Sequence, residues 1–278
     1  MNRPSPFPLI AVDIGNARTK LGLFDDAQSD DLPEPSAVLT IEHGDGGLDR
    51  LAAWLESAAV GRFSWWIGSV NRPAATRLVD WLRDHRPDEP VTLLAASDLP
   101  LRVGLPRPDM VGVDRLLDAL AANRLRAPGR PAVVVDVGTA ITVDLVSADG
   151  AFYGGAILPG IAMSARALNE FTDLLPLVET SDLTQPPAPL GTSTESAMQS
   201  GLFWGAVGSV RELVERMTKA GSAENGAAEP DVFLTGGASQ AVADLWGPSA
   251  RCVPQLTLAG IALAARRESP ETPRASRG

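Results

Sequence analysis

The chain has 278 residues, enough for two domains of common size, and 45% of them are hydrophobic, which allows two packed cores. Its formal net charge of −10 argues against nucleic-acid or anionic-membrane binding, since both require clustered Lys and Arg. The single cysteine, Cys252, excludes an intramolecular disulfide and a multi-cysteine metal site, and we expect a reducing, cytoplasmic compartment. No apolar run reaches the ~18 residues of a membrane span.

The first 100 residues predict strands and amphipathic helices. An apolar strand over 9–13 ends in a glycine turn and is followed by a half-apolar strand over 19–24, which predicts a β-hairpin and excludes the strand-to-helix turn of a Rossmann fold. An acidic loop over 25–36 is expected to be solvated. Residue spacing then predicts, in chain order, a helix over 48–59, a strand over 63–70, a helix over 75–85 and a strand over 91–95.

An eight-letter frame, VDxGxAxT, occurs twice in the chain. Residues 12–19 read VDIGNART and residues 135–142 read VDVGTAIT, and each copy follows an apolar run that carries an aspartate and a glycine to a strand end. The repeat predicts a duplicated domain, with halves at 1–124 and 125–265 and a disordered tail at 266–278. Two such turns facing one another would form a cleft lined with acid, glycine and hydroxyl groups.

The second half repeats the hairpin organisation. Strands are predicted over 142–147 and 152–158, joined by a turn at Asp149 and Gly150. Thr192 and Glu195 have the spacing of a capping box for a following amphipathic helix, and a strand over 231–234 ends in Thr-Gly-Gly. The β-hairpin organisation around the first glycine turn is therefore expected to recur after the second.

The repeated turns are the candidates for binding phosphate, because the chain lacks a G-x-x-x-x-G-K-[ST] motif. Gly15 would let the backbone approach a polyphosphate, and Gly138 and Thr139 would act likewise in the second turn. Asp13 and Asp136 could hold hydrated cations that neutralise phosphate oxygens. In the first turn, Asn16 and Thr19 could donate hydrogen bonds to phosphate, and Arg18 or Lys20 could offset its negative charge.

A helix that begins near Val113 offers a carboxylate for acid-base chemistry. The helix macrodipole would favour the ionised form of Asp114, which could then accept a proton from a substrate. Arg115 could bind a substrate carboxylate through two hydrogen bonds. The alternative is that Asp114 caps the helix and Arg115 is solvated or ion-paired.

Together these motifs resemble the type III pantothenate kinases, members of the acetate and sugar kinase, heat-shock chaperone and actin superfamily. The matching segments are DIGN at 13–16, VGVDR at 111–115, VDVGTAITVDLV at 135–146, FYGGAILPG at 152–160, TESAMQSG at 194–201 and LTGG at 234–237. The resemblance implies an α/β fold of two duplicated ribonuclease H-like (actin-like ATPase) domains. Each would be a mixed five-stranded sheet flanked by helices, with a cleft between the domains.

The resemblance also implies an activity and its partners. The reaction would be ATP-dependent phosphorylation of pantothenate to 4′-phosphopantothenate, the first step of coenzyme A biosynthesis. It would require Mg²⁺ and a monovalent cation, K⁺ or NH₄⁺. The enzyme would be a homodimer whose active site is completed at the subunit interface.

Site roles follow from the resemblance residue by residue. Asp114 would be the general base, Asp136 the ligand of the monovalent cation, and Asp13 a water-mediated ligand of Mg²⁺. The implied ATP contacts are Asp13, Ile14, Gly15, Asn16, Ala17, Arg18, Thr19, Lys20, Thr139, Gly236 and Gly237. The implied pantothenate contacts are Gly112, Val113, Asp114, Arg115 and Thr194, and Thr194 has the alternative role of a helix-start hydroxyl.

Two positions depart from the family pattern. Ala17 stands where the family has Thr or Ser, and Leu105 stands where many members have an aromatic residue. Ala17 motivates one alternative, a catalytically weak regulatory or binding protein. Another alternative is a different small-molecule kinase of the same superfamily, such as a sugar kinase.

Overall fold

The structure is a computed structural model that describes residues 6–25, 32–44, 46–58, 61–179, 185–223, 229–239, 246 and 250–266. Its first strands and helices are β1 Leu9–Ile14, β2 Arg18–Phe24, β3 Ala37–Glu42, α1 Gly47–Ser57, β4 Ser64–Ser69, α2 Arg72–His85, β5 Val91–Leu93 and α3 Val113–Leu125. Those that follow are β6 Ala132–Val137, β7 Ala140–Val146, β8 Phe152–Pro159, α4 Ile161–Glu170, α5 Thr194–Ala223, β9 Asp231–Thr235, β10 Ala250–Cys252 and α6 Leu256–Arg266. The chain folds into two compact units.

The first unit is built on a mixed five-stranded sheet in the order β3-β2-β1-β4-β5. Strand β1 pairs antiparallel with β2 and parallel with β4. One face of the sheet packs against α1 and α2 through a core that includes Ile10, Val12 and Ile14 of β1. Helices α3 and α6 contact strands on the opposite face. Because successive side chains of β1 alternate between these faces, Asp13 points away from the α1 and α2 core.

The second unit has a sheet of the same design, in the order β10-β9-β6-β7-β8. Strand β6 pairs antiparallel with β7 and parallel with β9, as β1 does with β2 and β4. Its core face, with Val133, Val135 and Val137, packs against α5. Corresponding strands thus hold corresponding places in the two sheets. The duplication and the α/β class that the sequence predicts are confirmed.

The two units divide the chain differently from the single boundary predicted between residues 124 and 125. The first unit comprises Met1–Leu101, Pro106–Leu125 and Gln255–Gly278, and the second comprises Arg102–Leu105 and Arg126–Pro254. The short segment joins the second unit because Phe152 N–H donates to the Arg102 carbonyl and Gly104 N–H donates to the Phe152 carbonyl, each at 2.8 Å. Helix α6, predicted to belong to the second half, returns to the first unit and packs on α3.

The contact between α3 and α6 is close. A β-carbon at Gly260 of α6 would lie 2.2 Å from the Leu117 carbonyl oxygen of α3, so only glycine allows this approach. Beside it, Thr257 Oγ1 donates a 2.7 Å hydrogen bond to Asp118 Oδ1. The C-terminal helix therefore holds the helix that carries Asp114. The predicted tail lies outside the described residues from 267 onward.

The sequence predicts the ends of most helices and strands to within a few residues, but the start of α2 and the capping box of α5 need correction. Helix α2 begins at Arg72, before the predicted start at 75, because Asn71 caps it by accepting the Ala74 N–H at 3.1 Å. The capping box of α5 lies one residue later than predicted and joins Ser193 and Ser196 instead of Thr192 and Glu195. Ser196 N–H donates to Ser193 Oγ at 3.2 Å, and Ser193 N–H donates to Ser196 Oγ at 2.9 Å.

Candidate active site

The first repeated turn connects β1 to β2. Gly15 N–H donates to the Arg18 carbonyl at 3.1 Å, which closes the turn. Asn16 and Ala17 are exposed at its tip, whereas Ile14 is fully buried and anchors its base. Half-buried Asp13 pairs directly with Lys20, so the two side chains share one face of the sheet. The turn therefore presents a carboxylate and an ammonium group together at a strand end.

The second repeated turn is one residue tighter. Gly138 N–H donates to the Ala140 carbonyl at 3.1 Å, and Asp136 pairs directly with Thr142. Thr139 is exposed at the tip. Gly160 N–H donates to the Thr139 carbonyl at 3.0 Å, which ties the start of α4 to this turn. The turn presents a carboxylate beside a hydroxyl.

The two copies therefore share a sequence frame but differ in strand register. Thr19 and Thr142 end the two copies, yet Thr142 pairs with Asp136 whereas Thr19 pairs with Ile14. A one-residue slip turns a side chain to the other face of a sheet. Thr19 is accordingly buried on the α1 and α2 side, where its Oγ1 lies 3.0 Å from His43 Nε2. The Thr19 hydroxyl therefore does not lie on the sheet face that carries Asp13. Its predicted role as a hydrogen-bond donor to phosphate requires that face.

The Gly236-Gly237 pair that follows β9 lies beside the second turn. Thr235 of β9 pairs with Asp136, and Gly236 follows with a φ of 92°. A β-carbon at Gly236 would come within 2.2 Å of Asp136 Oδ1 and 2.6 Å of the Val137 carbonyl oxygen. The two oxygens therefore lie against the Gly236 backbone and leave no room for a side chain there. Gly237 is exposed next to them.

Asp114 occupies the first turn of α3 and is half-buried. Its Oδ1 accepts the Arg115 N–H at 2.8 Å. Burial raises the pKa of Asp114 above its ordinary value of 3.8, and this effect exceeds the opposing effects of the Arg115 N–H and the Arg115 charge. This shift is opposite in direction to the macrodipole effect, which the sequence predicts to favour the ionised form. The raised pKa makes the carboxylate a stronger proton acceptor.

Gly112 leaves space for the Asp114 side chain. A β-carbon at Gly112 would lie 2.5 Å from Asp114 Oδ1 and 3.6 Å from Val70 Cγ1. Val113, between the two residues, is buried. Glycine at position 112 thus gives the Asp114 carboxylate the room it occupies, and the hydrogen bond from Arg115 N–H orients it.

Thr194 begins α5 and lies at the edge of an apolar groove between α4 and α5. The groove encloses about 900 Å³, and Ser164, Thr172 and Thr194 are its hydroxyl-bearing residues. Phe171, which is 80% exposed, lies on its wall, and Leu174 close by is 85% exposed. The sequence pattern did not predict this groove, because α4 itself was not predicted.

Cation sites in this chain would depend on few protein ligands. Across the part of the chain that the structure describes, no three His, Cys, Asp or Glu side chains are grouped to hold a metal ion. Asp13 and Asp136 are the carboxylates at the two repeated turns, and carboxylates suit cations whose other ligands are water, carbonyl oxygens or phosphates. None of the described helices is both long enough and apolar enough to span a bilayer.

Solved structures with the same fold support the two-unit architecture. Component A of the (R)-2-hydroxyglutaryl-CoA dehydratase of Acidaminococcus fermentans is 17% identical, with a TM-score of 0.50, and the match covers 93% of this chain and 96% of that one. A Sinorhizobium meliloti protein assigned as a 2-dehydro-3-deoxygalactonokinase is 16% identical, with a TM-score of 0.51, covering 95% and 100%. These likenesses show the actin-like ATPase fold.

Sequence relatives identify the family. A sequence model of the family described as type III pantothenate kinase matches residues 9–216 of the chain. This range includes both repeated turns, Asp114 and Thr194. A type III pantothenate kinase from Dehalococcoides mccartyi strain CBDB1 is 33% identical over 91% of this chain and 93% of that protein. Proteins of the same name from Chlorobaculum parvum and Acidiphilium cryptum are 34% and 37% identical over 85% and 72% of this chain, and over 86% and 72% of their own lengths. The chain belongs to the type III pantothenate kinase family.

Proposed function

We propose that the chain catalyses the ATP-dependent phosphorylation of pantothenate to 4′-phosphopantothenate, with Asp114 as the general base. The observation that carries this proposal is the half-buried Asp114 in the first turn of α3, whose pKa burial raises. A general base works best when its pKa lies closer to the working pH than that of a solvated carboxylate. Pantothenate is proposed as the substrate because the chain belongs to the type III pantothenate kinase family.

The proton transfer can be assigned to particular atoms. Because Asp114 Oδ1 accepts the Arg115 N–H, we assign the proton of the pantothenate primary hydroxyl to Oδ2. As the O–H bond breaks, the hydroxyl oxygen forms a bond to the γ-phosphorus of ATP. The bond between that phosphorus and the bridging oxygen breaks, and ADP leaves with the electron pair. Gly112, Val113 and Arg115 would contact pantothenate around this base.

ATP would be bound through its phosphates by the repeated turns. In the first turn, the backbone of Ile14, Gly15, Asn16 and Ala17 offers close approach, and Arg18 and Lys20 supply positive charge. Thr139, Gly236 and Gly237 are the proposed contacts from the second unit. Thr19 is left out of the phosphate contacts because its hydroxyl lies on the other face of β2 and bonds to His43.

Mg²⁺ fits this chemistry through Asp13. Mg²⁺ retains several waters and commonly uses one or two carboxylates together with substrate phosphates, so a single carboxylate is sufficient. Asp13 lies at a strand end, shares a face with Lys20, and is only half-buried, which leaves room for water. When bound, the ion would neutralise charge on the phosphate oxygens.

We propose Asp136 as the ligand of a monovalent cation, K⁺ or NH₄⁺. Gly236 packs against Asp136 Oδ1 and the Val137 carbonyl oxygen, so both oxygens lie at the end of β6 beside the second turn. Oxygen atoms of this kind are suitable ligands for K⁺ and hydrogen-bond acceptors for NH₄⁺. We propose that Asp136 holds the cation and that the cation supplies positive charge near the second turn.

A homodimer is proposed through the apolar groove between α4 and α5. Contiguous exposed apolar surface of this kind marks interaction sites in soluble proteins. Phe171 and Leu174 are almost fully exposed in the single chain, and Thr194 lies at the edge of the same groove. A second copy seated there would cover the apolar surface and bring its own residues close to Thr194.

Release of ADP from ATP, measured with and without pantothenate in K⁺ and in Na⁺ buffers, tests the proposed function. We expect release that depends on pantothenate and is stimulated by K⁺ or NH₄⁺. Equal release with and without pantothenate in every buffer would reject the kinase and favour the regulatory protein that Ala17 suggests. Stimulation by a sugar and not by pantothenate would instead favour a sugar kinase.

A further inference from the structure

His43 contacts the first phosphate turn in two ways. Its backbone N–H donates to the Ala17 carbonyl at 3.1 Å, one residue beyond the last pair of the β2 and β3 ladder, Arg18 with Glu42. Its ring Nε2 forms a 3.0 Å hydrogen bond with Thr19 Oγ1, in which either group can donate according to the ring tautomer. The two bonds reach both ends of the short stretch between Ala17 and Thr19.

The side-chain bond lies on the face of the sheet opposite the proposed ATP site. Thr19 pairs with Ile14 on the α1 and α2 side, whereas Asp13 and Lys20 point to the other side. His43 and Thr19 therefore cannot contact the phosphates through the same groups that bind each other. They can act on the turn only by fixing the start of β2, and hence the direction of Lys20.

Packing alone does not hold the His43 ring. The ring and Thr19 line a cavity of about 290 Å³ bounded by β2, β3, α1 and α2, so one side of the pair is not filled by neighbouring side chains. A ring with open space beside it can adopt other rotamers unless a hydrogen bond selects one. The bond to Thr19 therefore determines where the ring lies.

We infer that His43 and Thr19 are positioning residues for ATP binding, which hold the turn at residues 15–18 from the sheet face opposite the proposed ATP site. This inference rests on the proposed function, in which that turn contacts the ATP phosphates. It explains how a turn with Ala17 at its tip is held in place, because the Ala17 carbonyl and the Thr19 hydroxyl are both bound by His43, the residue that follows β3. A hydroxyl at position 17 is then not required to hold the turn.

Steady-state kinetics on matched variants test the inference. Thr19→Val and His43→Phe keep side-chain volume and remove the hydrogen bond, while Thr19→Ser and His43→Gln can still form it. We expect each disrupting variant to raise the KM for ATP about threefold to tenfold, the scale of one hydrogen bond, and to leave the KM for pantothenate unchanged. The double variant should be no worse than either single variant, because the two groups form one bond.

The conservative variants and a Lys20→Met control separate the possible outcomes. Thr19→Ser and His43→Gln should keep the KM for ATP within about twofold of wild type. Equal increases in both KM values, or additive effects in the double variant, would overturn the positioning role and indicate general destabilisation. If Lys20→Met raises the KM for ATP and the disrupting variants do not, the inference alone fails. If Lys20→Met also has no effect, the proposed ATP site fails.

Discussion

Gly236 lies directly against the carboxylate of Asp136, so that a β-carbon at position 236 would come within 2.2 Å of Asp136 Oδ1. The contact joins the end of β9 to the end of β6, the strands that pair Thr235 with Asp136. The φ of 92° at Gly236 also lies in a region that other residues rarely adopt. Two separate physical reasons therefore require glycine here.

Gly236→Ala should impair activation by the monovalent cation. The new methyl group would displace Asp136 Oδ1, and the backbone strain should cost about 1–3 kcal/mol of stability. We expect the K⁺ concentration for half-maximal activity to rise roughly tenfold, which corresponds to a loss of about 1.4 kcal/mol in binding. Activity measured over a K⁺ series checks this, and an unchanged K⁺ response in a folded variant would contradict the cation site at Asp136.

Gly208→Ala is the matched control for that glycine substitution. Gly208 lies in α5, is exposed, and a β-carbon there would meet no other atom within 4 Å. Alanine is the better helix former, so the free energy of unfolding should rise by about 0.5–1 kcal/mol. Thermal unfolding measures this, and the K⁺ response should match that of wild type.

Asp114→Asn should change the pH dependence of stability. Because the folded-state pKa of Asp114 is raised above 3.8, the stability associated with its protonated form is fully present below pH 3.8 and is lost as the pH rises through the raised pKa. Asparagine does not ionise and can still accept the Arg115 N–H. The free energy of unfolding of the variant should therefore exceed that of wild type increasingly as the pH rises, up to a plateau.

Urea unfolding of both proteins, from about pH 4 to about pH 8, measures this difference. A gap that widens as the pH falls would mean that the pKa of Asp114 is lowered in the folded state. That result would contradict the burial effect on which the role of the base depends.

Gly112→Ala should displace the Asp114 carboxylate without removing it. A β-carbon at Gly112 would lie 2.5 Å from Asp114 Oδ1, and the φ of Gly112 is not positive, so the main effect falls on the side chain. Misplacement of a reacting group by about 1 Å can cost up to about 100-fold in rate. We expect kcat to fall at least tenfold, measured beside Gly61→Ala, whose β-carbon would meet nothing within 4 Å. Equal kcat for the two variants would remove Gly112 from the site.

Leu174→Glu should weaken the proposed homodimer. Leu174 is 85% exposed beside the groove between α4 and α5, and a charge there would have to lose its hydration in an apolar interface. Sedimentation or light scattering should show a shift from dimer to monomer. Leu93→Glu is the control, since Leu93 is 55% exposed on β5 of the first unit. A Leu174→Glu protein that stays dimeric would place the interface elsewhere.

The sequence predicts the duplication well because the repeated VDxGxAxT frame places an aspartate and a glycine turn at the end of two strands. The predicted apolar strands, the glycine turns and the hairpins after them correspond to β1 with β2 and β6 with β7. The frame does not fix strand register, which depends on how many residues each turn contains. Thr19 and Thr142 therefore align in sequence and point to opposite faces in the structure.

Elements that depend on tertiary contacts were harder to predict. Helix α6 has a mostly apolar sequence, LTLAGIALAAR, whose role becomes clear only when Gly260 meets Leu117 of α3. Strand β3, which brings His43 to the first turn, has only a short alternation of Leu39 and Ile41 with Thr40 and Glu42. Residues 26–31 of the acidic loop lie outside the described residues. The expected cytoplasmic location stays a prediction from the single cysteine.

The most direct test of the central claim is pantothenate-dependent ADP release by the wild-type protein and by Asp114→Asn in the same K⁺ buffer. A general base contributes about 10²–10⁴-fold to rate, so we expect kcat to fall by roughly that factor in the variant. The affinity for ATP should stay close to that of wild type, because Asp114 is not among the proposed ATP contacts. Near-normal pantothenate-dependent ADP release by Asp114→Asn would contradict its assignment as the base.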